Sequence, residues 1–185
     1  RPFMIDAHGL HGRLVRLGPA MHEPLSAHDY PKPVAVLLGE ALALVSGLSA
    51  GLKFEGVFGI QARGDGPVKM LVADVTTEGT IRGFADVREP IPENSAEAPV
   101  PRLIGAGRLA FTVDQGPNTE QHQGIVDLQG ANLADCVHHY FHQSSQYTAA
   151  VKLACRHDSE TGWRGGALVL QRLPEDEESF ERERL

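Results

Sequence analysis

The sequence predicts an α+β fold, a largely antiparallel sheet with packed helices in a single core domain. Three observations carry that prediction. Strand-length apolar runs recur along the chain, joined by short turns that carry glycine. Residues 33–52 form an unbroken, largely apolar stretch of helical length, and 133–145 show the apolar spacing of an amphipathic helix. At 185 residues the chain suits one sizeable domain.

The elements follow in order. LHGRLVRL (10–17) reads as a first strand, and AMHEPLSAHDYPKP (20–33) as a broken helical turn region punctuated by Pro24, Pro31 and Pro33. Pro33 can serve as the first residue of the long helix that follows. Next come KFEGVFGIQA (53–62), PVKMLVADV (67–75) and TIRGFADV (80–87), joined by RGDG and TTEG: a meander of antiparallel hairpins. REPIPENSAEAPVPR (88–102), with four prolines, reads as a surface loop. Strands at 107–115 and 122–129 precede a helix, LADCVHHYFHQSS, that Asn132 can cap. Apolar runs at 149–157 and 167–173 close the series.

Composition narrows the function. A formal net charge of −7 argues against the clustered basic footprint of a nucleic-acid binder and against anionic membrane surfaces. Two cysteines are too few for a disulfide scaffold, and a reducing cytoplasm is the simplest setting. PVAVLLGEALALVSGLSAGL (33–52) is long enough to span a bilayer, but Glu40 costs roughly 3 kcal/mol of an insertion energy of about 4–5 kcal/mol. Its glycines, serines and Pro33 use up the rest, so a buried core helix is expected. The chain opens on RPFMIDAHGLHG, without Met or a signal segment, and ends on PEDEESFERERL, almost all charge. Both ends read as cuts in something longer. The expected division is a core over residues 1–174 and the start of a charged linker over 175–185.

Several motifs invite a chemical reading. His138 and His142 lie four apart in CVHHYFHQSSQ, on one helical face, as zinc ligands in HExxH do. Here His139 takes the place of the general base, and it lies about 100° around the helix from His138. Asp135 and Cys136 are the other donors at hand. The plainer reading buries Leu133, Val137, Tyr140 and Phe141 and leaves the histidines in solvent. GAGRLA (105–110) matches a permissive dinucleotide fingerprint, but a β-like run follows where a helix is required, so a turn into a strand is expected. The phosphate-loop pattern, a nucleophile elbow and a convincing carboxylate pair do not occur. Cys136 and Cys155 read as buried free thiols. Glu40, if buried, must be paired, hydrogen-bonded or protonated; an anchor for a turn or a neighbouring lysine is expected.

The strings themselves then become specific. HDYPKPVAVLLGEALALVSGLSAGLKFEGVFGIQARGDGPVKMLVAD (28–74) resembles the core domain of the heat shock protein 33 family, the redox-regulated bacterial chaperones. The matching positions are His28–Pro31, Leu38–Glu40, Leu52–Gly56, Gln61 and Gly64–Pro67. Arg82-Gly83, Gly105 with Gly107, Tyr140-Phe141 with Ser144 and Gln146, and Gln171 with Leu173-Pro174 continue the series in order. Local departures are His11 before Gly12, Ser145 between Ser144 and Gln146, Tyr147 before Thr148, and Gly165-Gly166-Ala167, where one of the paired glycines is displaced.

The resemblance implies an ATP-independent holdase that binds unfolding clients through apolar surface, acts as a homodimer and is not an enzyme. It implies no catalytic, metal or cofactor residue in this chain. Zinc is expected instead in a C-terminal Cys-x-Cys, Cys-x-x-Cys module that these residues lack, whose oxidation would unfold it with its linker. The client surface is not visible in the sequence; the expectation is a sheet face that the linker covers in the intact protein. The alternative is a metal-dependent hydrolase built on His138 and His142. A third reading is a dimerisation domain that needs the missing parts for activity.

Overall fold

A computed structural model describes residues 1–6, 9–52, 54–91, 100–114, 122–144 and 149–172. The expected linker over 175–185 and parts of the expected loop and turns, including Ser145, Tyr147 and Thr148, fall outside those residues. In chain order the elements are β1 (Pro2–Ile5), β2 (Leu10–Leu17), α1 (Pro19–Ser26), α2 (Lys32–Ser49), β3 (Val57–Gly64), β4 (Val68–Thr76) and β5 (Ile81–Val87). They continue with α3 (Val100–Leu103), β6 (Gly107–Asp114), β7 (His122–Asp127), α4 (Leu133–Ser144), β8 (Ala149–Asp158) and β9 (Gly162–Arg172).

The strands divide between two antiparallel sheets where the sequence reading had one. The order is β1-β2-β9-β8 in the four-stranded sheet and β5-β4-β3-β6-β7 in the five-stranded one. The reason is remote pairing: Leu10 of β2 lies opposite Arg172 of β9, and no local pattern encodes that register.

Helix α2 lies between the sheets and contacts β2, β8 and β9 on one side and β3, β4 and β5 on the other. Its apolar composition follows from that position, since a helix covered on both sides has no wet face. Its eighteen residues are long and apolar enough to cross a membrane, but 72% of them are buried in the core. The two sides differ in size. A Cβ on Gly39 would overlap Cys155 Sγ of β8, and one on Gly47 would press on Val169 and Ala167 of β9. Leu38 and Leu42, both fully buried, instead reach Gly83 of β5. The four-stranded sheet thus rides close on small residues, and the five-stranded sheet stands off on leucines.

Two further elements depart from expectation. Helix α1 runs continuously through Pro24 instead of breaking there. Met21 and Leu25, one turn apart, are 0% and 2% exposed, and their burial outweighs the one hydrogen bond that Pro24 forfeits. Strand β1 was not anticipated, because its four residues are all exposed and show no alternation. It is held by β2, with Phe3 lying over Gly12.

Candidate functional site

The motifs of the sequence are taken up by architecture. Gly105 adopts φ +74°, which only glycine tolerates readily, and β6 begins two residues later. Asp65 Oδ1 accepts the Ala106 amide at 2.8 Å, and the Gly66 amide donates to Ile104 O at 2.7 Å. GAGRLA and RGDG are therefore two turns locked face to face, and the glycines lead into a strand as expected. The His28–Pro31 motif also finishes a sheet: Tyr30 Oη accepts the outward-facing Ala85 amide of edge strand β5 at 3.1 Å, and His28 packs edge-on against Phe84.

Helix α4 buries Leu133, Cys136 and Val137, and Tyr140 stacks on Phe111 with ring centroids 4.2 Å apart. Asn132 caps it: its Oδ1 accepts the Asp135 amide at 2.9 Å, and Asp135 Oδ2 accepts the Ala131 amide in return. The expectation that the histidines are solvated fails for two of them. His138 Nε2 accepts the Val151 amide of β8 at 2.7 Å, and His139 Nε2 is buried with no hydrogen-bond partner among the described residues. Only His142 is exposed. Helical periodicity gave each histidine an outward direction, but β8 closes over His138. Among the described residues no three His, Cys, Asp or Glu side chains converge as a metal site would require. With Nε2 of His138 committed to an amide, the hydrolase reading has no support.

The thiols are free and buried to different degrees. Burial, and then the neighbouring Asp135 charge, push Cys136 up to about 11. Burial, and then the Glu40 charge, push Cys155 up to about 12. Both are protonated and unreactive at neutral pH. Glu40 has neither a lysine nor a turn as partner among the described residues, contrary to the anchor expected of it. It is half-buried, and burial raises its pKa above the ordinary glutamate value.

The remaining surface of consequence is the outer face of the four-stranded sheet. α1 and α2 pack on its inner side and α4 meets the β8 edge. Side chains alternate along a strand, so the register sets neighbours on the outer side. Phe3, Gly12, Leu170 and Ala150 form one row across it, and Leu14, Leu168 and Lys152 the next. Phe3, Ile5 and Leu14 are 40%, 40% and 45% exposed, and Leu168 and Leu170 are half-buried. The sequence did carry a signal for this face. In Ala167-Leu168-Val169-Leu170 all four consecutive residues are apolar, and in a strand that puts apolar side chains on both sides.

The class this defines is an α+β domain with a central helix enclosed between two antiparallel sheets and an apolar sheet face that no described helix covers. The family model described as "Hsp33 protein" matches residues 1–185, and the chain belongs to that family. A 33 kDa chaperonin from Caulobacter vibrioides is 41% identical over 183 residues, 95% of this chain and 60% of that protein. One from Pseudomonas fluorescens is also 41% identical, over 98% of this chain and 58% of that protein. The crystal structure of a 33 kDa chaperonin, a heat shock protein 33 homolog from Thermotoga maritima, matches with a TM-score of 0.80 at 25% identity. That match covers 97% of this chain and 63% of the other. The chain thus spans about 60% of the length of the curated relatives it matches.

Proposed function

We propose that this chain is the client-binding core of an ATP-independent holdase chaperone, and that clients dock on the outer face of the four-stranded sheet. The observation that carries the reading is the contiguity of Phe3, Leu14, Leu168 and Leu170 on a face that no described helix covers. Such a binder needs no fuel, since holding the unfolded state acts by mass action alone. Redox control and zinc are assigned outside these 185 residues, because the high-pKa thiols Cys136 and Cys155 suit neither thiolate ligation nor rapid oxidation. The working form is a cytoplasmic homodimer.

The test is light scattering from a chemically unfolded client diluted into buffer with this chain, without ATP, in reductant, with and without chelator. Suppressed aggregation, indifferent to chelator, is the expected result. The double variant Leu14→Asp, Leu168→Asp should lose it, while Phe84→Asp, Ile125→Asp on the other sheet should keep it. The reverse pattern would move the site to the five-stranded sheet. No suppression by the unaltered chain would leave it a scaffold that needs further sequence. Sedimentation of the same samples at micromolar concentration reports the dimer.

A further inference from the structure

The lower end of this outer face is cationic, in a chain whose net charge is −7. Register places Arg16 beside Gly166 and Ala154, and Arg156 directly opposite Arg164, with Lys152 one row above. Gly166 and Ala154 raise no bulk between these long side chains, so the sheet is hollowed there into an open depression of about 430 Å³ that all four cations line. Leu14 and Leu168 form its apolar wall. Two guanidinium groups directly opposite each other on one sheet face repel, and among the described residues none of the four cations has a carboxylate within ion-pair distance. Asp158 attracts Arg156 from a distance, but its Oδ1 is occupied by the Glu160 amide and by the Thr161 amide and hydroxyl. Arg164 Nη1 is buried and lacks any hydrogen-bond partner among the described residues.

Four cations with no ion-pair partner among the described residues, set around an apolar hollow, complement a ligand that brings both carboxylates and a large apolar side chain. Resting on the client-docking reading above, we propose that this end of the face makes the chaperone charge-selective, favouring extended client segments in which acidic residues flank apolar ones. The hollow admits one or two apolar side chains. The ring of Arg16, Lys152, Arg156 and Arg164 pairs with the flanking carboxylates in partial desolvation, where such pairs strengthen.

The experiment is fluorescence anisotropy with three labelled peptides that share a Leu-Phe-Leu-Phe centre, flanked by paired glutamates, paired serines or paired lysines. The full chain should bind the glutamate peptide about tenfold more tightly than the serine peptide at low salt, and the lysine peptide more weakly still. The gap should close when salt shortens the screening length to a few ångströms. In Lys152→Glu, Arg156→Glu the order should invert while serine-peptide affinity stays within about threefold. Equal affinities for the three peptides, or an order unmoved by the charge reversal, would overturn the proposal while leaving the docking reading intact. Failure of every peptide, the serine one included, would sink the docking reading and this inference with it. A sedimentation change in the reversed variant would assign the ring to a second copy of the chain. Glutamate-peptide binding that appears only after Glu175, Asp176, Glu177 and Glu178 are replaced by serine would assign it to this chain's own acidic segment. Either result overturns the client assignment.

Discussion

The two outer sheet faces are built from the same strand alternation and finished in opposite ways. On the five-stranded sheet one row runs Phe84, Val72, Gln61, Ala110, Ile125, so its two most exposed apolar groups stand at opposite edges with a glutamine between them. The rows on either side hold ion pairs, Arg82 with Asp74 at 2.9 Å and Arg108 with Asp127 at 3.6 Å. On the four-stranded sheet the leucines adjoin, and among the described residues the four cations have no carboxylate within ion-pair distance. The first arrangement discourages association by scattering apolar surface among charges of both signs, two pairs of them bonded; the second concentrates what a partner would need. Burial alone does not distinguish them, because each face contains exposed large hydrophobics. Their arrangement does.

The difference is confined to the surface, since both sheets share one core. The largest effect should therefore come from α2. Leu42 is 0% exposed, and Leu42→Ala removes packing on which the five-stranded sheet rests, at a cost of about 2–5 kcal/mol. Thermal unfolding followed by far-UV circular dichroism and by Trp163 fluorescence should shift together, because Trp163 lies in β9 of the opposite sheet. Separate transitions would mean that the sheets fold as independent units and that the comparison is between two domains.

A smaller effect separates the edges. Each sheet has an edge amide satisfied by an aromatic side chain from outside it, such as Ala85 by Tyr30 and Val151 by His138. Tyr30→Phe and His138→Leu each strand a part-buried amide, and each should cost about 1–3 kcal/mol. Hydrogen exchange should quicken at Ala85 in the first variant and at Val151 in the second, each without the other. Exchange quickening at both amides in either variant would show that the edges are coupled through the core.

Legibility in the sequence followed the range of the interaction. The strands of the meander and helix α4 with its Asn132 cap were visible because turn glycines, alternation and capping are local. The division into two sheets was not, since β2 and β9 lie at opposite ends of the described chain. Pro24 misled because a local rule was overridden by the burial of Met21 and Leu25. The histidines misled in a different way: periodicity gives a direction on a helix but not what lies in that direction. The charge ring was the least legible, as Arg16, Lys152, Arg156 and Arg164 become neighbours only through the register of three strands.

The smallest effect sharpens the contrast between the two sides of α2. The side toward the five-stranded sheet is leucine, whereas Glu40 lies close enough to Cys155 of the four-stranded sheet for its charge to raise that thiol. Burial holds the Glu40 pKa above the ordinary glutamate value of 4.5. The folded state therefore retains a proton that the unfolded chain has released, so stability falls as pH rises from about 4.5 through the raised folded value. Glu40→Gln keeps the shape and removes the titration. It should raise Tm at pH 7 by on the order of 2 °C, with the gain vanishing near pH 4.5 where both forms are neutral. Keeping the series below pH 8 leaves the Cys155 thiol protonated throughout, since it titrates at about 12. A gain of the same size at both pH values would mean that glutamine simply packs better there; a loss at pH 7 would mean that the ionised carboxylate is paired after all, and that this side of α2 is anchored by charge, not by the close approach of Gly39 and Gly47.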